Sequence, residues 1–305
     1  MTDFKNLRPI ALSDKPFIER LISLNPSEGC EANFANLFMW ADSYKTQILS
    51  LGENSAIAYS GASKILHFPL GERPAPGLLA QIAEKFAGEN LCPDGGVYDV
   101  PPDYAETFAG ELGEKFEISE RPEDFDYIYE NQRLLSMEGK KLRKKRGLVK
   151  RFESDNPNFS CDNICSKNKA DALSFMERMN SAKLESPIFN GIGAESGALA
   201  RAFENFEDLG ICGLILRAEA GEIAGAAVFS RINGSICTVH FEKSDASIKG
   251  APQMLVLREA QAMINIGASF MNREQDLGLE NLRRAKESLE PLRMYRRRRL
   301  RLKLK

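Results

Sequence analysis

The chain has 305 residues, 43 % of them hydrophobic and 28 % charged; this excludes a disordered or fibrous protein and gives enough chain to bury a core without staples. No apolar run approaches the roughly 18–20 residues of a membrane span, and Met1–Leu12 lacks a signal peptide's apolar stretch. The net charge of −2 hides a segregation: Gly139–Phe152 carries eight Lys or Arg in fourteen residues and Arg293–Lys305 eight in thirteen, neither with an acid.

Taken in order, the chain runs through one sequence of elements twice. The first pass predicts a strand at Leu7–Leu12, a helix at Asp14–Ser23 capped by Ser13, and strands at Gln47–Leu51, Ser55–Ser60 and Lys64–Phe68. A helix at Leu78–Ala87 opened by Pro76-Gly77, a strand at Val97–Val100, a helix at Asp103–Leu112 and a strand near Phe116–Ser119 follow. Asp124–Phe152 is expected to be a helical connector, basic towards its end. The second pass predicts a strand at Asn158–Ile164, helices at Lys169–Met179 and Ser196–Leu209, and strands at Gly213–Glu219, Ile223–Arg231 and Ser235–Glu242, the last two joined by the hairpin signal Asn233-Gly234. It ends with a helix at Gln253–Ile266, a strand at Ala268–Asn272, a helix at Leu279–Ser288 and a strand over Leu292–Leu304. The two histidines, His67 and His240, each sit in a His-Phe dipeptide on the last strand of the corresponding hairpin set. The expectation is a duplicated α/β (α+β) unit: a lobe at 1–123, a connector at 124–152 and a second lobe at 153–305.

Six scattered cysteines with no Cys-x-x-Cys pair read as reduced thiols of a cytoplasmic chain, and two histidines exclude a His-rich metal centre. The densest polar cluster joins Val239–Lys243 to Met271–Gly278, each at the end of a strand-like segment, where α/β sheets meet ligand. In a strand His240 and Glu242 point to one face and Phe241 and Lys243 to the other. A His–Glu pair can remove a proton from an attacking amine; a buried histidine beside a surface Glu–Lys pair is the plainer reading. Arg273, with Arg283 and Lys286 on the following helix, is either an anion site or part of an Arg–carboxylate scaffold. Lys140–Arg151, striped by Leu142, Val149 and Phe152, reads as a docked helix that presents cations to phosphates; a solvated helix face is the alternative.

These residues also carry a resemblance. Cys30-Glu31 with Phe34 and Asn36-Leu37-Phe38-x-Trp40, then Asp126-Tyr127-Ile128-Tyr129, Gly139-Lys140-Lys141-Leu142-x-Lys144-Lys145-Arg146, His240-Phe241-Glu242-Lys243, and Asn272–Gly278 with Leu282-Arg283-x-Ala285-Lys286 resemble motifs of a soluble bacterial group. That group is similar to the cytosolic C-terminal domain of phosphatidylglycerol lysyltransferases. The resemblance implies a tandem pair of acyl-CoA N-acyltransferase (GNAT) folds and the transfer of an aminoacyl group from aminoacyl-tRNA to an amine or hydroxyl. The sequence lacks the family's transmembrane flippase portion, and Lys249-Gly250-Ala251-Pro252 is at best a reduced form of the phosphate loop of acetyl-CoA enzymes.

The expected site therefore has His240, Glu242, Asn272 and Arg273 as catalytic residues and Lys243, Glu274, Asp276, Arg283 and Lys286 as substrate-binding ones. Lys140, Lys141, Lys144, Lys145, Arg146, Lys150 and Arg151 would bind tRNA or another phosphate-rich ligand, and the basic face leaves peripheral membrane contact open. No metal or tightly bound cofactor is expected. Acyl-CoA as donor, and a non-catalytic module for an anionic ligand or partner, are the competing readings.

Overall fold

The computed structural model describes residues 6–184 and 192–303. Met1–Lys5 and the expected strand end at Leu304 lie outside the described residues. The chain divides into two compact units, Met1–Asp126 with Tyr295–Lys305, and Tyr127–Met294.

The sheet of the first unit runs in the order Arg8–Pro9, Thr46–Ser50, Ser55–Ser60, Ile65–His67, Val97–Val100, Arg298–Leu302 and Phe116–Ser119, with Leu70–Gly71 paired to the side of Ser55–Ser60. That of the second runs Ser160–Asn163, Cys212–Arg217, Ile223–Arg231, Ile236–Ser244, Phe270–Asn272, Asp126–Glu130 and Arg293–Tyr295. Position for position the orders match. Each sheet has a parallel pair at the same place, Ile65–His67 beside Val97–Val100 and Ile236–Ser244 beside Phe270–Asn272. A helix makes each crossover, Pro76–Gly88 in the first unit and Ala251–Asn265 in the second. Both helices start with Pro at the first or second position, where its missing N–H costs no hydrogen bond. The duplication read from the hydrophobic pattern is a duplication of topology.

The division differs from the expected lobes in two places. The segment 124–152 is not all helix: Asp126–Glu130 is a strand whose Asp126, Tyr127, Ile128 and Tyr129 are all buried. Burial on both faces removes the alternation that marks an ordinary strand. Helices at Asn131–Ser136 and Arg143–Asp155 follow it. At the other end, Arg298–Leu302 completes the first unit's sheet, because Leu300 and Leu302 bury into that unit's core while the arginines between them stay outside it. The helices Phe34–Met39 and Ala41–Tyr44 were not visible as a pattern: all six residues of the first are buried, so no polar face sets a helical period.

The first unit's core gathers Leu49, Ile57, Tyr59, Leu79, Phe86 and Tyr104. In the second, Tyr129, Met271, Val256 and Met263 form one cluster, and Phe152, Leu216 and Leu255 another that docks the basic helix. Gly250 makes that docking possible. Its φ is +86°, and an added Cβ would lie 2.2 Å from the Leu148 carbonyl oxygen.

Candidate functional site

In the second unit the parallel pair ends at Thr238 opposite Asn272; the first strand continues to Ser244 while the other chain leaves the sheet. Residues on the two sides of this split form the site.

A β-bulge decides which way they point. Val228 pairs with Phe241 and Phe229 with Val239, so His240 has no opposing residue in the ladder. One extra residue reverses the alternation beyond it. The expected His240–Glu242 pair on one face therefore does not form. His240 Nε2 is hydrogen-bonded to Ser230 Oγ at 2.7 Å, and its Nδ1 lies 3.5 Å from Glu274 Oε1 with no hydrogen bond of its own. The ring is fully buried. Glu242 turns instead to Arg273, at 2.6 Å, and keeps 21 % of its side chain exposed.

Arg273 also pairs with Glu259 at 3.2 Å, a carboxylate from the crossover helix with no solvent exposure. Burial, and then the charge of Glu242, push the Glu259 carboxyl well above the usual carboxylate range, with Arg273 only partly offsetting them. The cluster thus sets two carboxyl groups against one guanidinium and is partly open to solvent through Glu242. Glu259 was missed in the sequence because a glutamate on an amphipathic helix reads as solvated; its place at the ninth residue of a helix with Leu255, Val256 and Ala260 buried around it was the available signal.

The rest of the Asn272–Gly278 motif is scaffold in its contacts. The Asn272 side chain accepts the Glu274 N–H at 2.7 Å. Asp276 takes Tyr127 OH at 2.7 Å, Gly278 N–H at 2.8 Å and a two-pronged contact from Arg283 at 2.8 and 3.1 Å. Burial would raise that carboxyl, yet the Arg283 and Tyr127 hydrogen bonds outweigh it and bring it down to about 2. Lys286 Nζ donates to the carbonyls of Arg273, Glu274 (3.1 Å) and Gln275 (2.7 Å), closing the turn under Arg273. Lys243 is buried in an ion pair with Glu195 at 2.5 Å. These contacts hold Arg273 and the strand in place.

The two basic runs separate as well. In Arg293–Leu302, Arg296 pairs with Glu120 (2.6 Å), Arg298 with Glu120 (2.8 Å), Arg299 with Asp124 (2.5 Å) and Arg297 with Asp99 (2.7 Å) and Asp126, all within the first unit. In the helix Arg143–Asp155 and the residues before it, Lys140, Lys144 and Lys150 are exposed and form no ion pair among the described residues. Lys141 reaches Glu290 at 3.1 Å, Arg151 reaches Asp155 at 2.5 Å, and Arg146 donates to the Met137 carbonyl at 2.6 Å. Lys145 is half-buried, and burial together with the nearby Arg273 charge lowers its pKa. The basic helix and the Arg273 cluster are thus neighbours within one unit, on an order of elements that sequence spacing alone did not reveal.

The family model described as phosphatidylglycerol lysyltransferase, C-terminal, matches residues 23–297. The chain belongs to that family. A conserved protein of unknown function from Bacteroides thetaiotaomicron is similar to it over 99 % of this chain and 100 % of its own, with 27 % identity and a TM-score of 0.89. L-PGS from Bacillus licheniformis shares the fold at 12 % identity and a TM-score of 0.63, covering 96 % of this chain and 92 % of that one. FemX does so at 8 % identity and 0.64, covering 96 % and 97 %. A comparison with curated proteins finds no sequence match. The chain thus has two mixed sheets of matching order, in a fold shared with L-PGS and FemX. No helix among the described residues is long and apolar enough to cross a membrane, and no metal-binding cluster is found among them.

Proposed function

We propose that the chain transfers an aminoacyl group from aminoacyl-tRNA to an amine or hydroxyl acceptor, with the strand split of the second unit as the reacting centre. The observation that carries this reading is the packing of the basic helix, through Val149 and Phe152, against Ala251, Met254 and Leu255 of the helix that carries Glu259. A polyanion held along Lys140, Lys144 and Lys150 would have its end near Arg273 and Glu242. Membership in a lysyltransferase family and the fold shared with FemX support the reaction class.

In the reaction the acceptor's lone pair attacks the ester carbonyl and a C–N or C–O bond forms. Arg273 faces the charge that develops on the carbonyl oxygen. Glu242, the partly exposed member of the cluster, takes the acceptor's proton and returns it to the departing ribose oxygen as the ester C–O bond breaks. Glu259 pairs with the other guanidinium nitrogen of Arg273 and holds it in place, with burial and the charge of Glu242 raising its carboxyl above the usual range. His240, sealed against Ser230, fixes the bulge that aims Glu242 and is a positioning residue.

The test is tRNA binding measured between about 50 and 200 mM salt, a rise over which a protein making roughly six to ten phosphate contacts loses about a thousandfold or more in affinity. The wild-type chain should show a steep slope and the Lys144→Glu, Lys145→Glu variant a shallow one. Salt-insensitive or absent tRNA binding, with stabilisation by acetyl-CoA, would transfer the site to an acyl-CoA donor.

A further inference from the structure

In the sequence the six cysteines are scattered; the fold sets two of them across from each other. All six are free thiols, and Cys165 and Cys212 are the exposed ones. Cys30, Cys92 and Cys237 are buried and Cys161 is half-buried. Burial, the largest cause in each case, pushes Cys92 and Cys161 up to about 11 and Cys237 to about 12. Those three thiols stay protonated at neutral pH, and it is the thiolate that reacts.

The two exposed cysteines meet at one end of the second unit's sheet. Its edge strand Ser160–Asn163 runs antiparallel to Cys212–Arg217, with Cys161 opposite Leu216 and Asn163 opposite Leu214. One step further, Ile164 N–H donates to the Gly213 carbonyl at 2.8 Å. The Ile164 side chain lies over Gly213, where an added Cβ would come within 2.6 Å of it. The next residue on each side is Cys165 and Cys212. By the alternation of an antiparallel pair this is a non-hydrogen-bonded position, where opposed Cα atoms stand about 4.5 Å apart and side chains share a face. A disulfide spans Cα atoms roughly 4.4–6.8 Å apart, so the rung suits one. The backbone turns off the ladder at this point: Cys165 N–H donates to Asn168 Oδ1 at 2.8 Å, and the Cys165 carbonyl accepts Lys169 N–H at 2.9 Å. The pair thus lies where the helix Lys169–Leu184 begins, at the rim of the sheet and open to small solutes.

We propose that Cys165 and Cys212 are a redox-sensitive pair that closes to a disulfide with a hydroperoxide as oxidant. One thiolate attacks the peroxide O–O bond, forming a sulfenic acid and releasing the first oxygen as water or alcohol. The second thiol displaces the sulfenic oxygen as water, and the S–S bond forms. Two thiols give up two electrons and the peroxide takes them. The bond fastens the first turn of the helix to the strand Cys212–Arg217, and a dithiol reductant frees it. This inference rests on neither the Arg273 cluster nor the basic helix, so it stands apart from the transfer reading.

It is tested by treating the folded, reduced full chain with equimolar hydrogen peroxide and reading intact mass and peptide linkage in the absence of reductant. The mass should fall by two hydrogens, with Cys165 and Cys212 joined inside one chain, and dithiothreitol should restore it. The pair should react at least about tenfold faster than Cys161 or Cys237. Cys165→Ser and Cys212→Ser, both at exposed side chains where substitution leaves the fold intact, should each abolish the mass loss. Two cysteines that stay reduced, that pass to separate sulfinic acids, or that pair between chains would overturn the proposal, as would a serine variant that still loses two hydrogens.

Discussion

The two strand splits begin from one plan and end as different chemistry. In both, a serine on the antiparallel neighbour holds a histidine, and the histidine faces a carboxylate on a residue with left-handed backbone, Asp99 at φ 58° and Glu274 at φ 56°. In the first unit the histidine–carboxylate contact is a 2.6 Å hydrogen bond; in the second it opens to 3.5 Å. The arginine has also changed place, arriving from the C-terminal strand as Arg297 in one copy and directly after the parallel strand as Arg273 in the other. The repeated part is the frame. What differs is the arginine and the carboxylates it meets.

The sharpest way to break the comparison is to remove each arginine. Arg273→Ala removes the cation that Glu242 and Glu259 share, and breaking such a buried pair costs about 3–5 kcal/mol. Arg297→Ala should cost a similar amount by removing the cation that Asp126 and Asp99 share, so urea unfolding should shift comparably in both variants. Only Arg273→Ala should abolish transfer beyond the loss of folded protein. Next in size, Gly250→Ala forces a side chain into a left-handed backbone against the Leu148 carbonyl and should cost about 1–3 kcal/mol, loosening the basic helix. Its check is stability and tRNA affinity falling together.

Acid exposes the second unit's scaffold. The Asp276 carboxyl sits at about 2 in the fold against 3.8 ordinarily, so its contribution is present above about pH 4 and is lost as pH falls towards 2. By linkage it is worth ~2 kcal/mol, and Asp276→Asn should flatten the stability curve in that window. The first unit responds at the other end. Burial depresses His67, but the hydrogen bond and charge of Asp99 more than offset it and raise it above 6.5. Its contribution is complete below pH 6.5 and fades as pH rises through the raised folded value, so His67→Gln should remove that alkaline loss. The smallest expected change in stability is Lys144→Glu, within about 0.5 kcal/mol for an exposed side chain, despite its effect on tRNA.

The duplication was legible because strands and helices leave periodic patterns, and the His-Phe dipeptides marked the matching strand in each copy. The polar cluster was legible as well: Arg273 and Glu242, from its two segments, meet at 2.6 Å. Three things were not. The bulge at His240 leaves no trace in residue type, yet it separates two side chains that ideal alternation puts together. Glu259 is 14 residues before Arg273, and only the crossover brings the two to 3.2 Å. The two basic runs have similar composition, and the difference between them lies in which acids the fold sets beside them: Glu120, Asp124 and Asp126 neutralise the later run, while much of the earlier one faces solvent.

The central claim is that Glu242 and Arg273 form a reacting centre for a tRNA-borne aminoacyl ester. It is tested most directly by single-turnover loss of that ester from a mixed pool of charged tRNA, offered first phosphatidylglycerol vesicles and then a free amine as acceptor. The account predicts acceptor-dependent loss with the wild-type chain and a rate at least about a hundredfold lower in Glu242→Gln, the weight of a general base. Equal rates for the two proteins, or an ester left intact while acetyl-CoA is consumed, would contradict it.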